Sequence, residues 1–375
     1  MKNILFIVIP EKGHINPSIG VAQYLQEMGH EISFFASHDI SEQLNQAGLD
    51  RFIGPKTKNS ANQGAGFTRK VRDKVWLRYW IKELLIEQSH EALPIFEELI
   101  TDFDLVVADP MIYPAVIACE RQRKPWVALS NSLNPVLNHH ISSELLDTVE
   151  WLSQSRDAIF EGCDLRFSGC DAISPYLTIT FSTPEFTGRE VAGIHQVGPA
   201  KSLKARGDEV DFAWDSLNSD LPVIYASFGS QVYHQQRYFE KLIEAVDGKE
   251  VQLVAAVHDL KFSHIPENVI LTGYAPQLEL LKRASVLVTH GGANSVMESL
   301  ASHVPILINP ICNDQFHQSW FIDHSEVGRV INLDTMSSNE VWEHMQWALF
   351  VDISKVSESY QVNGSLKAAQ LIDGL

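Results

Sequence analysis

Twice along these 375 residues, short apolar runs alternate with amphipathic stretches of helical spacing, and few architectures accept that pattern. Asn3–Ile9 is the first run, an amphipathic stretch follows at about Asn16–Met28, and Glu31–Phe35 is the second run. Gly29-His30 stands where the intervening helix should stop. Phe52-Ile53 is expected to close a short third strand after a helix around Ser41–Ala47. Val75–Ile100 is a long helical pattern with Pro94 inside it, so a kink or break is expected there. Asp104–Ala108 reads as a fourth strand, Ala115–Glu120 as a helix and Trp126–Leu129 as a fifth strand. Alternating elements of these lengths predict an α/β fold with a parallel, doubly wound sheet.

The pattern restarts near Leu221, after a polar and charged stretch at Lys201–Asp220. Val223–Ala226, Val251–Ala256, Val269–Thr272, Val286–Thr289, Ile306–Ile308 and Val330-Ile331 supply a second set of strands. The expected organisation is an N-terminal domain over 1–200, a linker over 201–220 and a C-terminal domain over 221–375. The last helix is expected to pack back on the N-terminal domain. Two Rossmann-like domains in series should face each other across a cleft. Ligands of such sheets sit beyond the carboxyl ends of the strands, where strand order reverses.

Composition narrows the function. A net charge of −18 argues against nucleic acid as a partner. No apolar run approaches the roughly 18–20 residues that span a bilayer, and Ile4–Ile9 is too short for a signal-peptide core. Cys119, Cys163, Cys170 and Cys312 are scattered, which suits a reducing cytosol and suggests no zinc site. A cytoplasmic enzyme is the expectation.

The chemistry-bearing residues follow the strands. Ala284-Ser-Val-Leu-Val288 is an apolar run, His290-Gly-Gly-Ala-Asn-Ser295 is a Gly-rich turn, and Asn294–Ala301 has helical spacing with Asn294 or Ser295 placed to cap it. A helix start of this kind presents backbone N–H groups and a partial positive charge, which together bind phosphate without a metal. Ser227-Phe228-Gly229-Ser230 could bring N–H and hydroxyl groups to the same phosphate. Tyr274 offers a face for a planar base, with Gln277 close by, and Asp314-Gln315 follows another strand. Any one of these is more often a turn, a cap or a packed aromatic; their succession at strand ends argues for a site.

His14, in Gly13-His-Ile-Asn-Pro17, lies just past the first strand, and Asp109 lies just past the fourth. In a sheet of order 3-2-1-4-5 those strands are neighbours across the switch point. A carboxylate beside a histidine fixes its tautomer and stabilises the imidazolium, which makes the pair a candidate general base. Each alone could equally cap or start the following helix.

Tyr274 to Gln315 resembles the donor-binding box of family 1 glycosyltransferases, the group of plant secondary-product and bacterial macrolide-type enzymes. The matching residues are Tyr274, Pro276 and Gln277; His290, Gly292, Asn294 and Ser295; Glu298; Val304-Pro305; and Asp314-Gln315. His14 and Asp109 resemble the family's base and its helper, whereas the region between them and the box is unmatched. The resemblance implies that Tyr274 stacks on the base, that Gln277 and Glu298 hold the ribose, and that His290, Asn294, Ser295 and Ser230 contact the diphosphate. Asp314 and Gln315 would bond the sugar hydroxyls. Gly291 and Ala293 point to the bacterial side of the family, and His303 stands where a glycine normally precedes Val-Pro.

The activity so implied is inverting, metal-independent transfer of a hexose from a UDP-sugar, most simply UDP-glucose, to a hydroxyl of a small hydrophobic acceptor. The UDP-sugar is a co-substrate, and no cofactor is expected. The rival readings are a nucleotide-sugar 2-epimerase and a non-catalytic nucleotide-sugar-binding subunit. A nicotinamide-dependent oxidoreductase is disfavoured because no Gly-x-Gly-x-x-Gly follows the first strand. Segment 56–82 holds eight cations (Lys56, Lys58, Arg69, Lys70, Arg72, Lys74, Arg78 and Lys82) against one acid, with Phe67, Trp76, Tyr79 and Trp80 interleaved. A solvated face is the plainer reading of it; peripheral contact with an anionic membrane is the sharper one.

Overall fold

The computed structural model describes residues 1–57, 66–138 and 140–375; Lys58 of the basic segment lies outside them. The chain divides into two compact units. The first holds Asp73–Asp208, Val362–Leu375 and the described residues of Met1–Ser60. The second holds Glu209–Gln361 and the described residues of Ala61–Arg72.

The first unit is built on a six-stranded sheet. In chain order its elements are β1 (Asn3–Ile7), β2 (Glu31–Phe35), β3 (Leu105–Ala108) and β4 (Trp126–Ser130), then a small antiparallel hairpin of β5 (Arg166–Ser168) and β6 (Asp171–Ile173), then β7 (Leu177–Thr180) and β8 (Ile194–Gln196). The sheet order is β2-β1-β3-β4-β7-β8, parallel throughout. Ile4, Leu5, Phe6 and Ile7 of β1 are all fully buried, as a central parallel strand covered on both faces requires. Each such side chain contributes about 1.5–3 kcal/mol by leaving water.

Several local expectations change. Phe52 makes only an isolated bridge to Phe34, so the expected third strand is not a strand, and the order 3-2-1-4-5 is replaced. The first helix spans Lys12–Glu27, starting four residues before the expected point, and Gly29 ends it at φ +91° with His30 N–H donating to the Leu25 carbonyl. The break in Val75–Ile100 does not fall at Pro94. It falls at Glu83–Glu87, a π-helical turn between helices Lys74–Lys82 and Gln88–Leu99, and Pro94 sits inside the second of these. The wider turn shifts the register at which helical faces meet the core, leaving Leu85 and Ile86 buried.

Residues 201–208 of the stretch read as a linker belong to the first unit, where the helix Lys12–Glu27 binds their backbone, and the rest belongs to the second. The Gln23 amide accepts from Leu203 N–H and Lys204 N–H and donates to the Ala205 carbonyl. Asn16 donates to Asp208 at 3.0 Å. Helix Gly364–Asp373 also belongs here: a Cβ on Gly20 would meet Ser365 Oγ at 2.5 Å, so the two helices approach at that glycine.

The second unit repeats the plan with β9 (Val223–Ser227), β10 (Gln252–Ala256), β11 (Val269–Thr272), β12 (Ala284–Thr289), β13 (Ile306–Ile308) and β14 (Gly328–Val330). Their order is β11-β10-β9-β12-β13-β14, again parallel. The last strand ends at Val330 and begins at Gly328, earlier than expected, since Gly328 packs against the Ile306 carbonyl where any Cβ would collide. Helices Gln236–Val246 and Ser338–Phe350 cover one face through Phe239, Leu242, Val341 and Met345. No helix among the described residues is long and apolar enough to cross a membrane.

Candidate active site

In the first sheet strand order reverses between β1 and β3; His14 lies in the helix that follows β1, and Asp109 in the loop that leaves β3. Asp109 N–H donates to the Ile7 carbonyl, which ties the end of β3 to the end of β1. His14 lies in the first turn of its helix with Nδ1 bonded to Asp109 Oδ2. The other oxygen of Asp109 accepts from Met111 N–H at 3.0 Å. The carboxylate is 2% exposed and the imidazole 26% exposed, so the acid is enclosed and the ring reaches solvent. Asp109 is acceptor-only when ionised, so Nδ1 carries the proton and Nε2 presents the lone pair.

A further acid lies beside the pair, which the sequence reading did not find. Asp171 opens β6, is 1% exposed, and accepts from Ser130, from Asn134 at 2.7 Å and from Ser132 at 3.4 Å. Burial pushes its pKa up to about 7, against the lowering effect of the Ser130 and Asn134 hydrogen bonds. It occurs in a polar, turn-rich stretch with no periodic signal.

In the second sheet the reversal falls between β9 and β12. Gly229 follows β9 at φ +72°, and a Cβ there would stand 2.6 Å from the His290 ring. His290 follows β12, and desolvation lowers its pKa to about 4, so it is neutral at neutral pH and can donate a hydrogen bond. Gly291 has φ +95° and lies against Ile308, where a Cβ would come within 2.2 Å of Cδ1. Only glycine makes this turn without strain. Gly292 then serves as the cap of helix Ala293–Ala301, with no side-chain cap bond. Asn294 and Ser295 fall inside the first turn, so the expected cap at either one is corrected: Gly292, with extended geometry, is the cap two or three residues earlier.

Gln277 and Glu298 come together. Gln277 Nε2 donates to Glu298 Oε2 at 2.6 Å and to Ser295 Oγ at 3.2 Å, and Tyr225 O–H donates to Gln277 Oε1 at 3.4 Å. Glu298 is buried in its helix, so its charge is held by a donor from a different strand end. Tyr274 is partly buried, with the His258 ring edge-on at 6.2 Å. His258 itself was missed. It follows β10 at φ +54°, stacks on Tyr233 at 3.8 Å and bonds the Gly229 carbonyl through Nε2 at 3.1 Å. A polar residue past a strand end was the signal for it.

Asp314 caps helix Gln315–His324 in position but makes no side-chain cap bond. The Gln315 oxygen accepts from Ile311 N–H and Cys312 N–H at 2.8 and 3.0 Å, and its amide nitrogen donates to Cys312 Sγ at 3.5 Å, so this side chain holds its own loop. Ser230 lies next to Gly229, partly buried. His303 now has a physical account. Its φ is +57°, the left-handed geometry that explains a glycine, and its ring is held by Ser357 Oγ at 2.6 Å on Nδ1 and by Gln361 Nε2 at 2.9 Å on Nε2. Those bonds offset the backbone strain.

A Gly-rich turn at a helix start, a partly buried tyrosine and a hydrogen-bonded Gln277–Glu298 pair thus line one edge of a parallel sheet, and known proteins share this plan. The family model for UDP-glucoronosyl and UDP-glucosyl transferase matches residues 185–352. An uncharacterized UDP-glucosyltransferase of Bacillus subtilis, YojK, is 26% identical over 402 residues, covering 98% of this chain and 94% of that protein. The chain is a glycosyltransferase that resembles the UDP-glycosyltransferase family. Crystal structures agree on the fold of this glycosyltransferase. The kitacinnamycin glycotransferase has a TM-score of 0.77 at 18% identity, and the calicheamicin glycosyltransferase CalG4 has 0.73 at 21%. Each comparison covers 100% of this chain and 98% of the other. Both shared sheets are those of the GT-B glycosyltransferases, and neither a 2-epimerase nor a non-catalytic subunit is favoured for this enzyme.

Proposed function

We propose that this glycosyltransferase moves glucose from UDP-glucose to a hydroxyl of a small hydrophobic acceptor, with inversion and without a metal. The observation that carries the reading is the His14–Asp109 pair at the switch point of the first sheet. His14 Nε2 takes the proton of the acceptor hydroxyl while that oxygen bonds the anomeric carbon. The bond from that carbon to the diphosphate breaks, and UDP leaves with the electron pair. One displacement inverts the centre. Asp109 holds the ring and stabilises the imidazolium.

The donor roles rest on the second sheet. His290, Asn294, Ser295 and Ser230 take the diphosphate at the start of helix Ala293–Ala301, where negative charge grows. Gln277 and Glu298 take the ribose, Tyr274 the base, and Asp314 with the Gln315 amide the sugar hydroxyls. The name of the Bacillus relative supports UDP and glucose. Exposed Val75, Tyr79 and Trp151 support an apolar acceptor, because apolar surface of this kind invites an apolar ligand. Contact with an anionic membrane is supported least: Arg72, Lys74, Arg78 and Lys82 each already meet a carboxylate, at Asp334, Glu144, Glu144 and Glu87.

His14→Ala tests the reading. Transfer should fall by about two to four orders of magnitude, the usual worth of a general base, while UDP affinity holds. An equal loss of UDP affinity would assign His14 to binding or folding instead.

A further inference from the structure

We propose that Asp171 is a positioning residue for the His14–Asp109 pair, a second carboxyl that sets the strength of the base from behind Asp109. The proposal rests on His14 being the base. Its ground is geometric. Asp171 is buried, and Ser130, Ser132 and Asn134 converge on it from the loop that leaves β4. Ala172 N–H donates to the Pro110 carbonyl at 3.2 Å, so the residue after Asp171 is bonded to the residue after Asp109. The hairpin β5–β6 therefore fixes the acid against the catalytic loop. The two acids are close enough for each charge to act on the other, and His14 acts on Asp171 with the opposite sign.

The ionisable groups around Asp171 are few. Asp109 and His14, past the ends of β3 and β1, act on it through their charges. Tyr113, which donates to the Cys170 carbonyl at 2.8 Å, lies on the third side with Arg156 beyond it. Tyr113 stays protonated, because burial raises it well above the ordinary phenol range. Asp171, with a pKa pushed up to about 7, then changes charge near neutral pH. As pH rises through that value a second negative charge appears behind Asp109. That charge favours the imidazolium that forms when His14 accepts a proton, so the pair becomes a stronger base. An asparagine could accept from Asn134 through its oxygen and donate to the Ser130 hydroxyl through its nitrogen, but it would carry no charge at any pH.

The test compares wild type, Asp171→Asn and His14→Ala in transfer from UDP-glucose to a primary aliphatic alcohol, which does not titrate in this range. Asp171→Asn should lose about tenfold in kcat/KM near pH 8.5, the rate equivalent of one pKa unit, and about twofold or less near pH 6. UDP affinity and melting temperature should hold. Equal loss at both pH values marks a structural role and overturns the proposal, as does an unchanged profile. Activity retained in His14→Ala sinks the base reading and Asp171 with it, whereas an inactive His14→Ala beside an unchanged Asp171→Asn profile sinks Asp171 alone. Infrared difference spectra of wild type need neither variant nor acceptor. A buried carboxylic acid present near pH 6 and ionised near pH 8.5 supports the proposal, and its absence overturns it.

Discussion

Gln277 and Glu298 meet at 2.6 Å, although one follows β11 and the other lies in the helix after β12. The amide supplies the donor that a buried carboxylate requires, and Tyr225 and Ser295 hold the amide in turn. A ribose arriving here would find its acceptor already oriented.

That arrangement predicts coupling. Glu298→Ala should weaken UDP binding by about 1–3 kcal/mol, the cost of stranding a polar partner, as read by calorimetry. Adding Gln277→Ala should cost little more, since the two act through one bond. Fully additive losses would show that they contact the donor separately.

Asp109→Asn should keep the fold and lower the rate, because the amide leaves the imidazole wrongly oriented. Combined with His14→Ala it should be no worse than His14→Ala alone. Multiplicative losses in kcat/KM would mean that the two residues act independently.

At the cradle, Gly291→Ala should lower the melting temperature and weaken UDP binding, because it combines φ +95° with a 2.2 Å approach to Ile308 Cδ1. Ile308→Val, which removes that methyl but keeps Cγ1 at 2.9 Å, should restore part of the stability and leave that close contact and the backbone strain of about 1–2 kcal/mol. Full restoration would show that the clash alone mattered.

His303 separates strain from hydrogen bonding. His303→Ala keeps φ +57° and loses both Ser357 and Gln361, so urea unfolding should show a loss of about 1–3 kcal/mol. His303→Gly relieves the strain as it loses the bonds, and should stay within about 1 kcal/mol of wild type. A glycine variant as unstable as the alanine would refute the compensation.

Acid should destabilise the second unit through His290 and His317, both lowered to about 4 by burial. The unfolded chain binds protons on these rings below its ordinary value of about 6.5, and the folded one does not until about 4. Stability is therefore complete above that ordinary value and falls as pH drops between the two. His317→Phe should flatten the slope of melting temperature against pH in this window. An unaltered slope would exclude His317 as a source.

Local order marked most of the strands, though not β5 to β8, and the ends at which ligands should sit. A run such as Ile4–Ile7 or Val286–Val288 must be buried on both faces, and a glycine pair such as Gly291-Gly292 must turn, whatever surrounds them. The donor box was legible for the same reason: its residues lie within a few positions of strand ends, and their spacing is a property of the chain. What tertiary structure alone decided depends on partners distant in sequence. Asp171 reaches the His14–Asp109 loops through a hairpin that has no apolar period, and His303 stands at a left-handed backbone position because Ser357 and Gln361 hold its ring. Phe52 fails to extend the sheet, making one bridge to Phe34, and the long helix yields at Glu83–Glu87 while Pro94 stays helical. Propensity acts within a few residues, whereas burial of a carboxyl, strain at a backbone angle and the site of a helix break are set by whatever the fold packs against them.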